Sequence, residues 1–167
     1  MLAATACCAQ AAPDAQFVPA FQSFLRASEG QDAALASALA GFEALSRAEP
    51  ASPVLLAYRG AATAMQARST YLPWRKMAYA EDGLALLDKA LAMLQPAHDA
   101  PGQQQVPAVL DVKLVAANTF LALPAMMNRR DRGVKLLGEV ARSPLLPSAP
   151  PAFQETVRKA LDKARLA

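Results

Sequence analysis

Isoleucine is absent from these 167 residues and valine is scarce, while alanine dominates. Sheets draw on β-branched residues, so the composition argues against most β architectures. Cysteine occurs only at Cys7 and Cys8, and histidine only at His98. Adjacent cysteines can scarcely bridge each other without strain, and one histidine cannot supply the usual ligand set of zinc. No apolar run reaches the roughly 18 residues of a membrane-spanning helix. An excess of one charge is also missing. Seventeen Lys/Arg against 14 Asp/Glu leave +3, too even for a nucleic-acid reader. Hydrophobic residues at 54% and charged residues at 19% exclude a disordered chain, and the length fits one domain. A soluble, all-helical module is what these exclusions leave.

Signals for catalysis are equally thin. No Ser-His-Asp set, Gly-rich phosphate loop or downstream cysteine pair occurs. Glu81 and Asp82 are adjacent, and neighbours on a helix do not converge on one substrate atom. The expectation is a protein that is not an enzyme and carries no cofactor or metal.

Residues 1–11, MLAATACCAQA, are uncharged and mostly small. Ala9-Gln10-Ala11 is an A-x-A pattern and resembles the end of a bacterial secretory signal, although no Lys or Arg precedes it. Cleavage after Ala11 removes both cysteines and leaves 12–167 as the mature domain. A second reading is lipidation at Cys7 or Cys8: Ala4-Thr5-Ala6-Cys7 has the small residues but lacks the leucine three places before the cysteine. A third is an alanine-rich tail on a cytoplasmic protein.

Seven helical segments follow. The first carries Phe17, Phe21, Phe24 and Leu25 and stops at Gly30. The second opens at Asp32 as N-cap, bears Leu35, Leu39, Phe42 and Leu45, and closes at Pro50. The third starts with Ser52 as N-cap and Pro53 in the first turn. The fourth begins near Pro73 and its stripe runs from Met77 to Leu94. Residues 97–105 form a polar loop. The fifth, from about Pro107 to Ala122, is apolar on two faces and should be buried on both. The sixth is expected from Pro124 to Ala141. The seventh, Pro151 to Leu166, is apolar on one side only.

Segments four and six repeat. Leu72-Pro73 answers Leu123-Pro124, and the stretch from Gly83 to Ala90 answers that from Gly133 to Val140, about 50 residues apart. Ala38, Phe42, Leu45 and Pro50, then Leu56 and Gly60, then Gly83, Leu87, Ala90 and Pro96, and finally Gly133, Leu137 and Val140 follow the second-helix and first-helix pattern of one known family. Over residues 17–145 the chain resembles the tetratricopeptide repeats, and bacterial exported proteins built from them, with extra residues at 69–80 and 97–106. The resemblance implies an all-α, right-handed α-solenoid: three helical hairpins and a C-terminal capping helix.

It also implies a concave side lined by the first helix of each hairpin. Polar residues there are Arg59, Thr63, Gln66 and Arg68 on the third segment, and Asp111, Lys113 and Asn118 on the fifth. Burial without a partner costs roughly 1–3 kcal/mol each, so solvent exposure is expected. Arg59 and Lys113 would suit an acidic or carboxylate-bearing partner. The competing reading pairs Arg59 with an internal acid, and Asp111 with Lys113 or a neighbouring helix. Residues 71–79 hold Tyr71, Trp74, Arg75, Lys76 and Tyr79. They form a recognition patch, or Trp74 anchors the turn onto the core, which is the preferred reading. Arg129, Arg130 and Arg132 either grip an acidic partner or form a solvated face around Asp131.

The function expected is a non-catalytic module that binds a protein or peptide, an exported or periplasmic adaptor or scaffold. Membrane association is expected only through a lipid on Cys7 or Cys8. Rival readings are a carrier of a small apolar or lipid ligand, in a cavity lined by Met65, Met77, Phe120 and Met126, and a cytoplasmic adaptor.

Overall fold

Proline and glycine punctuate the chain, and between them the apolar period is helical. In a computed structural model, which describes residues 14–166, seven α-helices follow: α1 (Asp14–Ser28), α2 (Leu35–Ala48), α3 (Pro53–Met65), α4 (Pro73–Ala92), α5 (Ala108–Ala122), α6 (Arg130–Ala141) and α7 (Pro151–Leu166). The expected leader lies outside the described residues. Among the described residues the fold is all-α, with a single isolated bridge between Pro101 and Pro107.

Helices pair as α1 with α2, α3 with α4, and α5 with α6. The tightest crossing is in the second pair. A Cβ on Gly83 would lie 2.6 Å from the carbonyl oxygen of Gly60 and 2.6 Å from the amide nitrogen of Ala64, so only glycine permits this approach. Gly133 plays a similar part in the third pair, against Leu121 and Ala117. The pairs then pack on one another, α2 against α3 and α3 against α5, and α7 lies on α6 and α5. Helices α3 and α5 are thus central. Both faces of α5 are buried, Leu110, Leu114 and Ala117 on one and Val112, Val115 and Ala116 on the other, as its two-faced apolar pattern requires.

The largest core feature is aromatic. Phe17, Phe21 and Phe24 of α1 and Phe42 of α2 surround Tyr58 of α3; Phe42 stacks on Tyr58 at 5.0 Å, and Phe24 meets it edge-on at 5.0 Å. Helix α7 buries Val157 and half-buries Phe153, Ala160, Leu161 and Ala164, leaving its charged side in solvent.

Helix starts differ in how far local chemistry decides them. Ser52 caps α3 as expected, its hydroxyl accepting from the Leu55 N–H, with Pro53 in the first turn. Asp32 does not cap α2. The chain turns at Gly30 (φ 96°) and enters α2 through a 3₁₀ turn, Asp32–Ala34, whose own bonds replace a side-chain cap. Pro73 opens α4, but Pro124 does not open α6. Pro124 is extended, a 3₁₀ turn follows at Ala125–Met127, and Asn128 adopts a left-handed conformation (φ 51°) that delays α6 to Arg130. The Gly83–Gly133 correspondence survives this, because the extra turn lies before it.

Candidate functional site

The expected groove residues meet different fates. Ten of the 13 residues of α3 are buried, so its free side is a narrow half-buried stripe of Arg59, Thr63 and, just past the helix, Gln66. The Arg59 guanidinium stands 3.9 Å from the Glu43 carboxylate of α2. The Thr63 hydroxyl donates to the Arg59 carbonyl at 2.9 Å. Arg68 reaches 41 residues back and donates to the Ala27 carbonyl at 2.7 Å, closing the end of α1. On α5, Asn118 is exposed, while Lys113 is half-buried and pairs with Glu139 of α6 at 2.8 Å.

Asp111 corrects the expectation of exposure. It is buried at 5%, and the Tyr58 hydroxyl donates to its carboxylate at 2.8 Å. Burial pushes the Asp111 carboxyl up to about 6, against a smaller downward pull from the Tyr58 hydrogen bond. Burial, the nearby Asp111 charge and the shared hydrogen bond hold the Tyr58 hydroxyl well above its ordinary range. A buried polar group with a partner is tolerated where one without is not. This pair therefore locks α3 to α5 and presents nothing to a ligand.

Lys113 instead borders an open cleft of about 540 Å³ where α4, α5 and α6 diverge. Leu91, Leu94, Val109 and Leu136 give it apolar surface, and its charged lining is Lys113, paired with Glu139, Arg132, paired with Asp88, and the carboxylate Asp99. Arg132 is held from two sides: its guanidinium lies 5.1 Å from the centre of the Phe120 ring and bonds the Asp88 carboxylate of α4. Arg129 adds a second cation 3.7 Å from Asp88. Arg130 donates at 3.4 Å to the Ala164 carbonyl in the last turn of α7. The three arginines thus bridge the last hairpin to α4 and α7, and Asp131 is not their partner.

The anchoring role expected of Trp74 fails. Trp74 is 67% exposed and Tyr71 97% exposed, at the turn between α3 and α4. Full burial along α4 begins only at Ala80, with Met77 and Tyr79 half-buried before it, so its first turn stands in solvent. Two of the residues expected to line a carrier cavity lie apart. Phe120 is in the core, Met126 is 78% exposed at a turn, and neither lines the cleft. His98 accepts the Gln95 N–H at Nδ1 and closes a 3₁₀ turn, Pro96–Asp99.

Asp88 and Glu139 carry no local signal, since each meets its cation from another helix, whereas Glu43 is held at 2.7 Å by Arg47 one turn on in α2 and only then approaches Arg59. Leu91 and Leu94 read as core stripe, and the divergence of α4 from α6 leaves them half-buried beside the buried Leu136. The chain matches no protein-family model, no curated protein and no solved structure. Chemically, an apolar slot bordered by two ion-paired cations and one carboxylate suits an apolar side chain with polar groups beside it.

Proposed function

We propose that this chain is a non-catalytic module that binds a protein or peptide, an exported adaptor whose three hairpins form a right-handed α-solenoid capped by α7. The observation that carries this reading is the cleft between the second and third hairpins, apolar along Leu91, Leu94, Val109 and Leu136 and bordered by the charged side chains of Lys113, Arg132 and Asp99. Hairpin-on-hairpin packing supports the solenoid, and the one-sided apolar face of α7 supports its role as cap. The partner is an acidic segment bearing an apolar residue. Arg59, Thr63 and Gln66 extend the polar surface along α3.

The test begins with capture of a partner from host extract on the immobilised full chain. Leu94→Lys, placed in the cleft, and the double change Arg59→Ala with Lys113→Ala should each weaken that partner at least about tenfold, a loss of ~1.4 kcal/mol. Helical circular dichroism should not change. Equal retention by the variants, or no specific retention by the native chain, overturns the reading. For export, the intact mass of the periplasmic protein should begin at Ala12; a protein confined to the cytoplasm and starting at Met1 refutes it.

A further inference from the structure

The turn from α3 to α4 places the most exposed apolar surface of the described residues beside unpaired positive charge. Tyr71 is 97% exposed, Trp74 67% and Leu72 39%. Arg75 and Lys76 are exposed as well, and among the described residues neither makes an ion pair. The segment is nonetheless held in shape. Ser69 donates to the Gln66 carbonyl at 2.8 Å, the Leu72 N–H reaches the Thr70 hydroxyl at 3.3 Å, and Pro73 starts the helix.

This arrangement runs against local preference. Cations in the first turn of a helix oppose the positive end of its dipole, and α4 has neither an acidic residue there nor a side-chain cap. Two cations and a helix end together concentrate positive potential next to three apolar side chains. Local rules are broken in this way where function asks for it.

We infer that Tyr71, Leu72, Trp74, Arg75 and Lys76 dock the protein on an anionic phospholipid bilayer surface. Tyrosine and tryptophan settle at the headgroup level of a bilayer, and Lys and Arg are drawn to anionic headgroups. A bilayer needs no pocket, which fits a tyrosine standing clear of its own protein; a peptide site needs walls, and neither the cleft at α4, α5 and α6 nor that between α6 and α7 includes these residues. A second copy on the same face would set Arg75 and Lys76 against their own like. The surface acts independently of the cleft and of any lipid on Cys7 or Cys8. No helix of the described residues is long and apolar enough to cross a membrane.

Trp74 is the only tryptophan, so the emission of the full chain reports on this turn alone. Vesicles of phosphatidylglycerol with phosphatidylcholine should shift that emission to the blue, and brominated lipid should quench it. Vesicles of phosphatidylcholine alone should do neither. In co-sedimentation, Arg75→Glu with Lys76→Glu should weaken binding at least about tenfold. The control Lys159→Glu with Lys163→Glu, on the exposed side of α7, makes the same change in net charge and should bind as the native chain does. An unchanged spectrum with anionic vesicles overturns the inference. So does an equal loss in the control, which would reduce the effect to net charge, or a blue shift with polyglutamate in place of vesicles, which would assign the turn to an acidic protein.

Discussion

The junction between the first two hairpins and the junction between the last two solve the same packing problem with different chemistry. Between α1–α2 and α3 the seam is aromatic: four of the six phenylalanines, Phe17, Phe21, Phe24 and Phe42, enclose Tyr58. Between α3–α4 and α5–α6 the first helices pack, α3 on α5, while α4 and α6 diverge and are bridged by Asp88 with Arg129 and Arg132. Aromatic rings bury large areas and hold a fixed geometry. Half-exposed ion pairs contribute little and are screened by salt. The first junction therefore holds the fold together, and the second leaves an accessible cleft.

Phe42→Ala puts this contrast under the greatest strain. It should cost ~3–5 kcal/mol in denaturant unfolding, because the hole it leaves is walled by rings that cannot all move in. A loss no larger than that from removing Asp88 would abolish the distinction between the junctions.

Tyr58 belongs to both, with its ring in the first seam and its hydroxyl on Asp111 of the second. The rise of the Asp111 carboxyl from 3.8 to about 6 links it to pH. Its protonated form is the better fitted to the fold. The stability it contributes is full below pH ~4 and is lost as pH rises through about 6, a change of roughly 3 kcal/mol. Asp111→Asn keeps an acceptor for Tyr58 and cannot ionise. Subtracting its unfolding free energy from that of the native chain across this range should isolate a fall of that size; parallel pH profiles would refute the burial of the Asp111 carboxyl. Tyr58→Phe keeps the ring and strands the carboxyl. It should cost about 1–3 kcal/mol, more at pH 7 than at pH 4, by the same denaturation measurement.

Asp88→Ala should have the smallest effect, at most ~1 kcal/mol and less in high salt, because its two arginines remain near solvent. A larger, salt-independent loss would show that the second junction is sealed after all.

Local pattern reached far into this fold. The seven helical segments, the Ser52–Pro53 start of α3, the two buried faces of α5 and the one-sided α7 all follow from period and capping chemistry, which act within a few residues. The Gly83 and Gly133 correspondence was legible for the same reason. Site residues were less so. The exposed-groove reading of α3 and α5 gives way to the competing one, with Arg59 beside Glu43 and Asp111 bonded to Tyr58 of a neighbouring helix, while Lys113 is half-buried at a cleft and Trp74, expected as an anchor, stands in solvent. Each error concerns what lies across from a side chain, which spacing along one helix does not state.

Composition and periodicity alone determined that this protein is helical, where most of its helices lie and which stripe of each seeks burial, because apolar period and backbone preference are properties of short stretches. Tertiary structure alone decided that Tyr58 meets Asp111 53 residues away, that α4 outruns its neighbours and bares Tyr71 and Trp74, and that Asn128 holds α6 back to Arg130. Those outcomes depend on which helices share an interface and how far each extends beyond it, and desolvation and ion pairing are set only once those distances exist.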